Sequence, residues 1–433
     1  MQKWSSLNQQ QQQSLLSRPA MADSAKLSQI VADIISQVSS QGDKALLALT
    51  ERFDGAKLSQ LRIADSAMQN LAEQLRPKVK SAIELAYANI KAFHLAQYPQ
   101  DIKVETSPGV VCELKHAPLS SVGLYIPGGS APLPSTVLML GVSAQVAGCE
   151  RKVLCTPPNK DGEIALEIRY AAQLCGIDEI YLVGGAQAIA ALALGTESIA
   201  KVDKIFGPGN SFVTEAKQQV SRIPAGPAID MPAGPSEVLV IADSQANPVF
   251  VASDLLSQAE HGADSQAVLV SDSATLIDAV KAQVTQQLTT LSRQNIAEQA
   301  VQHSRYILTD SIEQAFTVSN AYAPEHLIVQ IENARDALPK LTNAGSIFVG
   351  KWSPESAGDY ASGTNHVLPT YGYARNYSSL GLADFMRRYT VQELSYLGLK
   401  NIGNAIMDLA DAEGLDAHRQ AVALRLQDGD AKQ

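Results

Sequence analysis

Charge, cysteine and aromatic side chains are all scarce in this chain, and each shortage removes a class of protein. Of 433 residues, 18% are charged, 5% are aromatic and four are cysteine. With 45% hydrophobic residues the composition is that of an ordinary globular protein, long enough for more than one core, and disorder is not expected. The net charge is -10, and no Lys/Arg run interleaved with aromatics offsets it, so no nucleic-acid partner is expected. Cys112, Cys149, Cys155 and Cys175 lie in apolar surroundings without CxxC spacing, which predicts reduced, packed thiols and a cytoplasmic setting. No apolar run is long enough to span a bilayer, and the opening MQKWSSLNQQQQQ lacks the apolar core of a signal peptide, so no membrane partner is expected. GxGxxG and Walker A fingerprints are missing as well.

What is present is a change of grammar along the chain. The short Gln run at 9–13 leads into SLLSRP and reads as an N-terminal arm with some helix. Ile30, Val31, Ile34, Ile35 and Val38 recur at helical spacing, as do Ala45, Leu46 and Leu49, and residues 64–96 read as a second long helical stretch. After Pro108, short β-branched runs alternate with helical ones: SVGLYIP, STVLMLGVSAQVAG, KVLCTPP, ALEIRYAAQLCG, EIYLVGG, AQAIAALALG and KIFGPGN. SEVLVIAD, QAVLVSD, SRYILTD, EHLIVQ and SIFVG resume the pattern. Such alternation predicts βαβ units around parallel sheets, here two Rossmann-like lobes. PAGP occurs twice in IPAGPAIDMPAGPSE (223–237), a constrained connection expected between the lobes. Beyond residue 380 the pattern reads as helical again, at 393–397 and 402–418.

Three strand ends carry Gly-rich turns that can turn backbone N–H groups toward a pyrophosphate: YIPGGS (125–130), GGAQ (184–187) and GPGN (207–210). Elsewhere, NPVFVASDLLSQAEHGADSQ (247–266) reads as a short helix with Asn247 as its cap, Pro248 in its first turn and Gly262 closing its end in a left-handed conformation. Gln258 and His261 then lie three apart on one face and can take two corners of a metal site, although such a pair is more often plain surface polarity. His326, Asp359, His366 and His418 fall in loop-like segments where functional side chains concentrate. On these residues alone a dehydrogenase, a zinc hydrolase and a non-catalytic metabolite-binding protein remain open. Nucleotide loops favour the first, and an acid–base pair would exclude the third.

Seven blocks in order resemble the L-histidinol dehydrogenase family: GLYIPGGSAPLPSTVLML, VGGAQAIAALA, DKIFGPGN, DMPAGPSEVLVIAD, DLLSQAEHG, PEHLI and SPESAGDYASGTNHVLPT. The resemblance implies oxidation of L-histidinol to L-histidine through the aldehyde, with two NAD+ consumed and one zinc per subunit. It carries the metal ligands onto Gln258, His261, Asp359 and His418, the acid–base pair onto Glu325 and His326, and the nucleotide contacts onto Tyr125, Gln187 and Asn210. Substrate contacts fall on Ser236, Gln258, His261, His326, Asp359, Glu413 and His418, with His366 a further candidate. It also implies an intertwined homodimer in which the tail lends Glu413 and His418 to the partner's site. The expected division is an arm at 1–22, the helical start of the first lobe at 23–124, an inserted nucleotide lobe at 125–236, a metal and substrate lobe at 237–379, and a helical dimer tail at 380–433. One difficulty stands out: adjacent residues on a regular strand face opposite ways, so Glu325 and His326 can meet one substrate only if the chain bends there.

Overall fold

A computed structural model describes residues 1–18, 24–128, 132–231 and 234–431. Gly129 and Ser130 of the YIPGGS loop, and Pro232 and Ala233 of the second PAGP, lie outside the described residues. The chain forms two compact units, residues 1–97 with 119–385 and residues 98–118 with 386–433. In chain order, strand β1 (Gln2–Lys3) belongs to the arm, and β2 (Ile102–Ser107) and β3 (Val110–Pro118) form a hairpin. Strands β4 (Ser121–Tyr125), β5 (Arg151–Thr156), β6 (Glu179–Leu182), β7 (Lys204–Phe206) and β8 (Ala228–Ile229) follow. Then come β9 (Glu237–Ala242), β10 (Gln266–Ser271), β11 (Arg305–Leu308), β12 (His326–Gln330), β13 (Ser346–Val349) and β14 (Met386–Leu394).

The larger unit holds two parallel sheets. Among the described residues one runs in the order β6-β5-β4-β7-β8 and the other β1-β11-β10-β9-β12-β13. Every residue of β9, β10 and β12 is buried, which is why these strands read as continuous apolar runs rather than alternating ones. The two faces of that sheet feed separate cores, one around Leu239, Ile307 and Tyr322, the other around Val240, Leu255 and Ile277. Helix Gly185–Leu194, buried almost throughout, joins the core of the first sheet with Val31, Leu46 and Leu49 from the early helices.

The arm is built into this unit. Asn8 and Gln11 form a reciprocal capping box at the head of helix Gln9–Leu16, and the buried Trp4 joins the core beneath β11. Residues 64–96 do not make one helix: Pro77 opens helix Pro77–Leu95, because its ring tolerates only the first turn, and what precedes it is two short turns.

In the smaller unit, β14, β3 and β2 form an antiparallel sheet, followed by helices Tyr396–Ala412 and Asp416–Ala431. The tail is therefore not wholly helical. Its nine-residue strand escaped a periodicity test because β14 is exposed on both faces beyond its first residue, so no apolar alternation marks it. Among the described residues no helix is long and apolar enough to cross a membrane.

Candidate active site

The first parallel sheet ends in a cavity of about 1190 Å³ whose lining includes Tyr125, Thr156, Pro157, Gly185, Gln187 and Asn210. All these residues follow or finish strands at their carboxyl ends, where open α/β sheets take ligands. Gly184 keeps two loops in touch, since a Cβ there would sit 2.5 Å from the Pro157 side chain. Gly207 has φ +129°, and a Cβ on it would collide with the Tyr125 carbonyl. At two of these turns one N–H is already engaged within the chain. Gly185 N–H donates to the Tyr125 hydroxyl at 3.1 Å, and Gly207 N–H donates to Asp230 Oδ2 at 2.8 Å. Asp230 is itself held by the buried Lys217 ammonium, which also donates to the Gly207 carbonyl at 3.0 Å. The Asn210 side chain caps helix Ser211–Ser221, accepting from Phe212 N at 3.1 Å and Val213 N at 3.2 Å. Asp54 also lines the cavity; Oδ2 has no hydrogen-bond partner among the described residues, and burial pushes the carboxyl up to about 6.

The second cluster lies at the opposite edge of the other sheet, at the amino ends of β9 and β12. His326 is the first residue of β12, and its Nδ1 meets the Glu237 carbonyl at 3.1 Å. A carbonyl only accepts, so Nδ1 carries a proton, and in the neutral ring Nε2 is the atom that holds the lone pair. Nε2 is buried, has no hydrogen-bond partner among the described residues, and stands 3.7 Å from Asp359 Oδ1. Glu325 precedes the strand, and its Oε2 accepts from Glu237 N at 2.8 Å while lying 3.6 Å from His326 Nδ1. The chain does bend here. The bend lies at Glu325 itself, after Ala323 has adopted a left-handed φ of 52° ahead of Pro324, and Glu325 and His326 both meet the backbone of Glu237.

Helix Pro248–Ala259 approaches from the side with Asn247 as its cap, Oδ1 accepting from Val249 N at 2.9 Å. Its end differs from expectation: Glu260 caps it in a right-handed conformation, and Gly262 is not left-handed. His261 therefore sits in the turn after the helix, its N–H donating to the Gln258 carbonyl at 3.2 Å. A nitrogen of its ring and oxygens of Glu355 and Asp359 lie within 4.8 Å of one another. Although the residue as a whole is exposed, partial desolvation of the ring holds His261 below its usual value, with Asp359 opposing. Gln258 is fully buried, and neither of its amide atoms has a hydrogen-bond partner among the described residues.

Electrostatically the cluster is short of positive charge. Burial pushes Glu325 up to about 8 and Glu355 likewise up to about 8. Burial disfavours the charged ring of His326, but Glu355, Glu325 and Asp359 outweigh it and raise its pKa. Glu355 is the member that sequence reasoning missed. It is 1% exposed, 3.8 Å from His326 Nδ1, with both oxygens unpartnered among the described residues. The signal was present: Glu355 and Asp359 stand four apart on the short helix Glu355–Tyr360. His366 packs behind Asp359, its Nδ1 2.9 Å from the Asp359 carbonyl. Half-buried Ser236 abuts Glu237, its carbonyl accepting from Gln266 N at 2.9 Å. Glu413 and His418 belong to the smaller unit and are exposed.

No thiol competes for a catalytic role in the larger unit. Cys149, Cys155 and Cys175 are buried, and burial raises all three, Cys149 to about 11, away from the thiolate form.

A roomy cavity on the carboxyl edge of one parallel sheet, and a buried imidazole set among carboxyls on another, mark an α/β enzyme with two parallel sheets. The family profile described as histidinol dehydrogenase matches residues 17–426. A histidinol dehydrogenase of Colwellia psychrerythraea is 63% identical over 426 residues, covering 98% of both chains. One of Vibrio parahaemolyticus is 60% identical over 424 residues, 98% of this chain and 97% of the relative. The crystal structure of histidinol dehydrogenase from Elizabethkingia anophelis superposes with a TM-score of 0.94 at 49% identity, covering 98% of this chain and 97% of that one. This chain belongs to the histidinol dehydrogenase family and is an oxidoreductase.

Proposed function

We propose that this chain oxidises L-histidinol to L-histidine through L-histidinaldehyde, the last step of L-histidine biosynthesis, using two NAD+ and one zinc per subunit. The observation that carries the reading is the convergence of His326 Nε2, Asp359, His261 and Glu355 beside a buried Gln258 with no hydrogen-bond partner among the described residues. Buried amides are rarely left unbonded, and an amide oxygen, imidazole and carboxylate make a donor set that suits zinc. Gln258, His261, Asp359 and His418 would hold the ion, with His418 lent by a second subunit. When bound, zinc supplies a Lewis-acidic anchor for the substrate's imidazole and amino nitrogens. A cation held there would offset the carboxyls that otherwise raise the His326 pKa.

The chain's own groups do the proton work. In the first oxidation the alcohol C–H bond breaks as hydride passes to NAD+, and the His326 Nε2 lone pair takes the hydroxyl proton. In the second, water adds to the aldehyde with Glu325 accepting its proton, and the hydrate gives a second hydride to a fresh NAD+. Ser236 and Glu413 complete the substrate contacts. Tyr125, Gln187 and Asn210 line a cavity large enough for a nucleotide.

We keep 125–236 as the nucleotide lobe, 237–379 as the metal and substrate lobe, and 380–433 as a dimer tail. Leu397, Leu409 and Leu424 of the tail are 58%, 65% and 53% exposed, and Tyr389 and Val391 of β14 are exposed too, a surface that suits burial against a second copy. A cytoplasmic location fits the reduced thiols. The test is the NADH yield from limiting L-histidinol. Two NADH per substrate, abolished by chelation and restored by zinc, is the expected result. One NADH removes the four-electron reaction, and none removes the dehydrogenase reading.

A further inference from the structure

The N-terminal arm reaches the acid–base pair through one side chain. Arg18 Nε donates to Glu237 Oε1 at 2.8 Å and its Nη2 to Oε2 at 2.7 Å, a forked ion pair with a carboxylate that is fully buried. The same Nη2 also donates to the Ala323 carbonyl at 3.3 Å, and the guanidinium lies 3.8 Å from the centre of the Tyr322 ring. Glu237 receives one further donor, Tyr371 N–H at 2.9 Å.

Two of these contacts, with Glu237 and with the Ala323 carbonyl, end at residues that bear on the pair's geometry. The backbone of Glu237 holds Glu325 by its N–H and His326 by its carbonyl. Ala323 is the left-handed residue whose turn delivers Glu325 and His326 to that backbone, a conformation that persists only when its surroundings impose it. Arg18 therefore grips both sides of the arrangement, the strand that supplies the hydrogen bonds and the turn that supplies the side chains. Lysine cannot substitute fully, because a single ammonium does not match both carboxylate oxygens and a carbonyl in one plane.

We propose that Arg18 is a positioning residue for the acid–base pair, acting through Glu237 and Ala323 without touching substrate. The proposal rests on the reading of Glu325 and His326 as that pair. Misplacing a catalytic group by about an ångström costs up to about 100-fold in rate, so Arg18→Met is expected to lower kcat between about 10- and 100-fold. KM for L-histidinol and zinc content should stay near wild type, and Arg18→Lys should recover part of the rate. Arg18→Met leaves the Glu237 charge buried and unpaired and can fail to fold, so the double variant Arg18→Met/Glu237→Gln, which removes that charge, is measured beside it. A lowered kcat at normal zinc content in the folded double variant supports positioning. Wild-type kcat in either folded variant, even with a lowered melting temperature, overturns it and leaves Arg18 as a support of the fold only. His326→Asn serves as the control: if it turns over at the wild-type rate, the acid–base reading has failed and not merely the role of Arg18.

Discussion

The two parallel sheets of the larger unit put their functional groups at opposite edges. On the sheet centred on β4 the cavity opens at the carboxyl ends of the strands, and its lining mixes loop and helix residues, mostly neutral but with Asp33, Arg52, Asp54, Glu163 and Arg169 among them. On the sheet centred on β9 the groups gather at the amino ends, where Glu237 and His326 begin their strands. The helix that follows β9 runs back against it and delivers Gln258 and His261 to that same edge. The carboxyl-edge rule therefore describes binding of a ligand by turns. An acid–base centre has another need, a low-dielectric setting crossed by fixed backbone dipoles, and the start of a fully buried strand supplies one.

That contrast can be broken by substitution. The largest effect is expected for His326→Asn, with turnover falling on the order of a thousandfold while zinc content and NAD+ binding are kept. Steady-state rates with metal analysis test this, and a rate near wild type would remove the amino edge from the chemistry. Next, His261→Asn should weaken zinc binding by more than about 100-fold, beyond what an outer partner costs, as read by metal content after dialysis. Mixing it with His418→Asn subunits should restore some activity in verified mixed dimers, and no restoration would place His418 in its own subunit's site.

A smaller and different response is expected from the carboxyl edge. Gln187→Ala should raise KM for NAD+ about tenfold with kcat little changed, the size of one lost hydrogen bond. A fall in kcat alone would mean that the two edges are not separable. The smallest effect concerns stability. Asp254, one turn before Gln258, accepts from Gln330 Nε2 at 2.6 Å, and burial pushes it from 3.8 to about 7. The folded chain thus keeps a proton that the unfolded chain has lost, and stability falls as pH rises between about 4 and about 7, then levels off. Asp254→Asn should flatten that window, and urea titrations at pH 5 and pH 8 would show it. An unchanged slope would place the penalty elsewhere.

How much of this the residues disclosed depends on the distance over which each feature is encoded. The βαβ alternation is local, so the parallel sheets were readable, and so was the Asn247 cap. Seven motif blocks carried Gln258, His261, Glu325, His326 and Asp359. Arg18 pairs with a residue 219 positions away, and no spacing rule reaches that far. Glu355 was within reach of an i, i+4 test but sat in a loop-like context that discouraged one. Strand β2 lies before the change of pattern at Pro108, and β3 lies between Pro108 and the first β-branched run, SVGLYIP, so both fell within the stretch expected to be helical. The end of helix Pro248–Ala259 misled for a different reason: glycine permits a left-handed close, but it does not require one.

The internal bonds of Gly185 and Gly207 have a kinetic meaning. Two amides of the Gly-rich turns are already satisfied, one by a tyrosine hydroxyl and one by a carboxylate braced by Lys217. A guest at this edge would be held without those two bonds. The proposed reaction would exchange spent for fresh nucleotide while the half-oxidised substrate stays in place, and looser holding on one edge with firm retention on the other would let a single turnover finish.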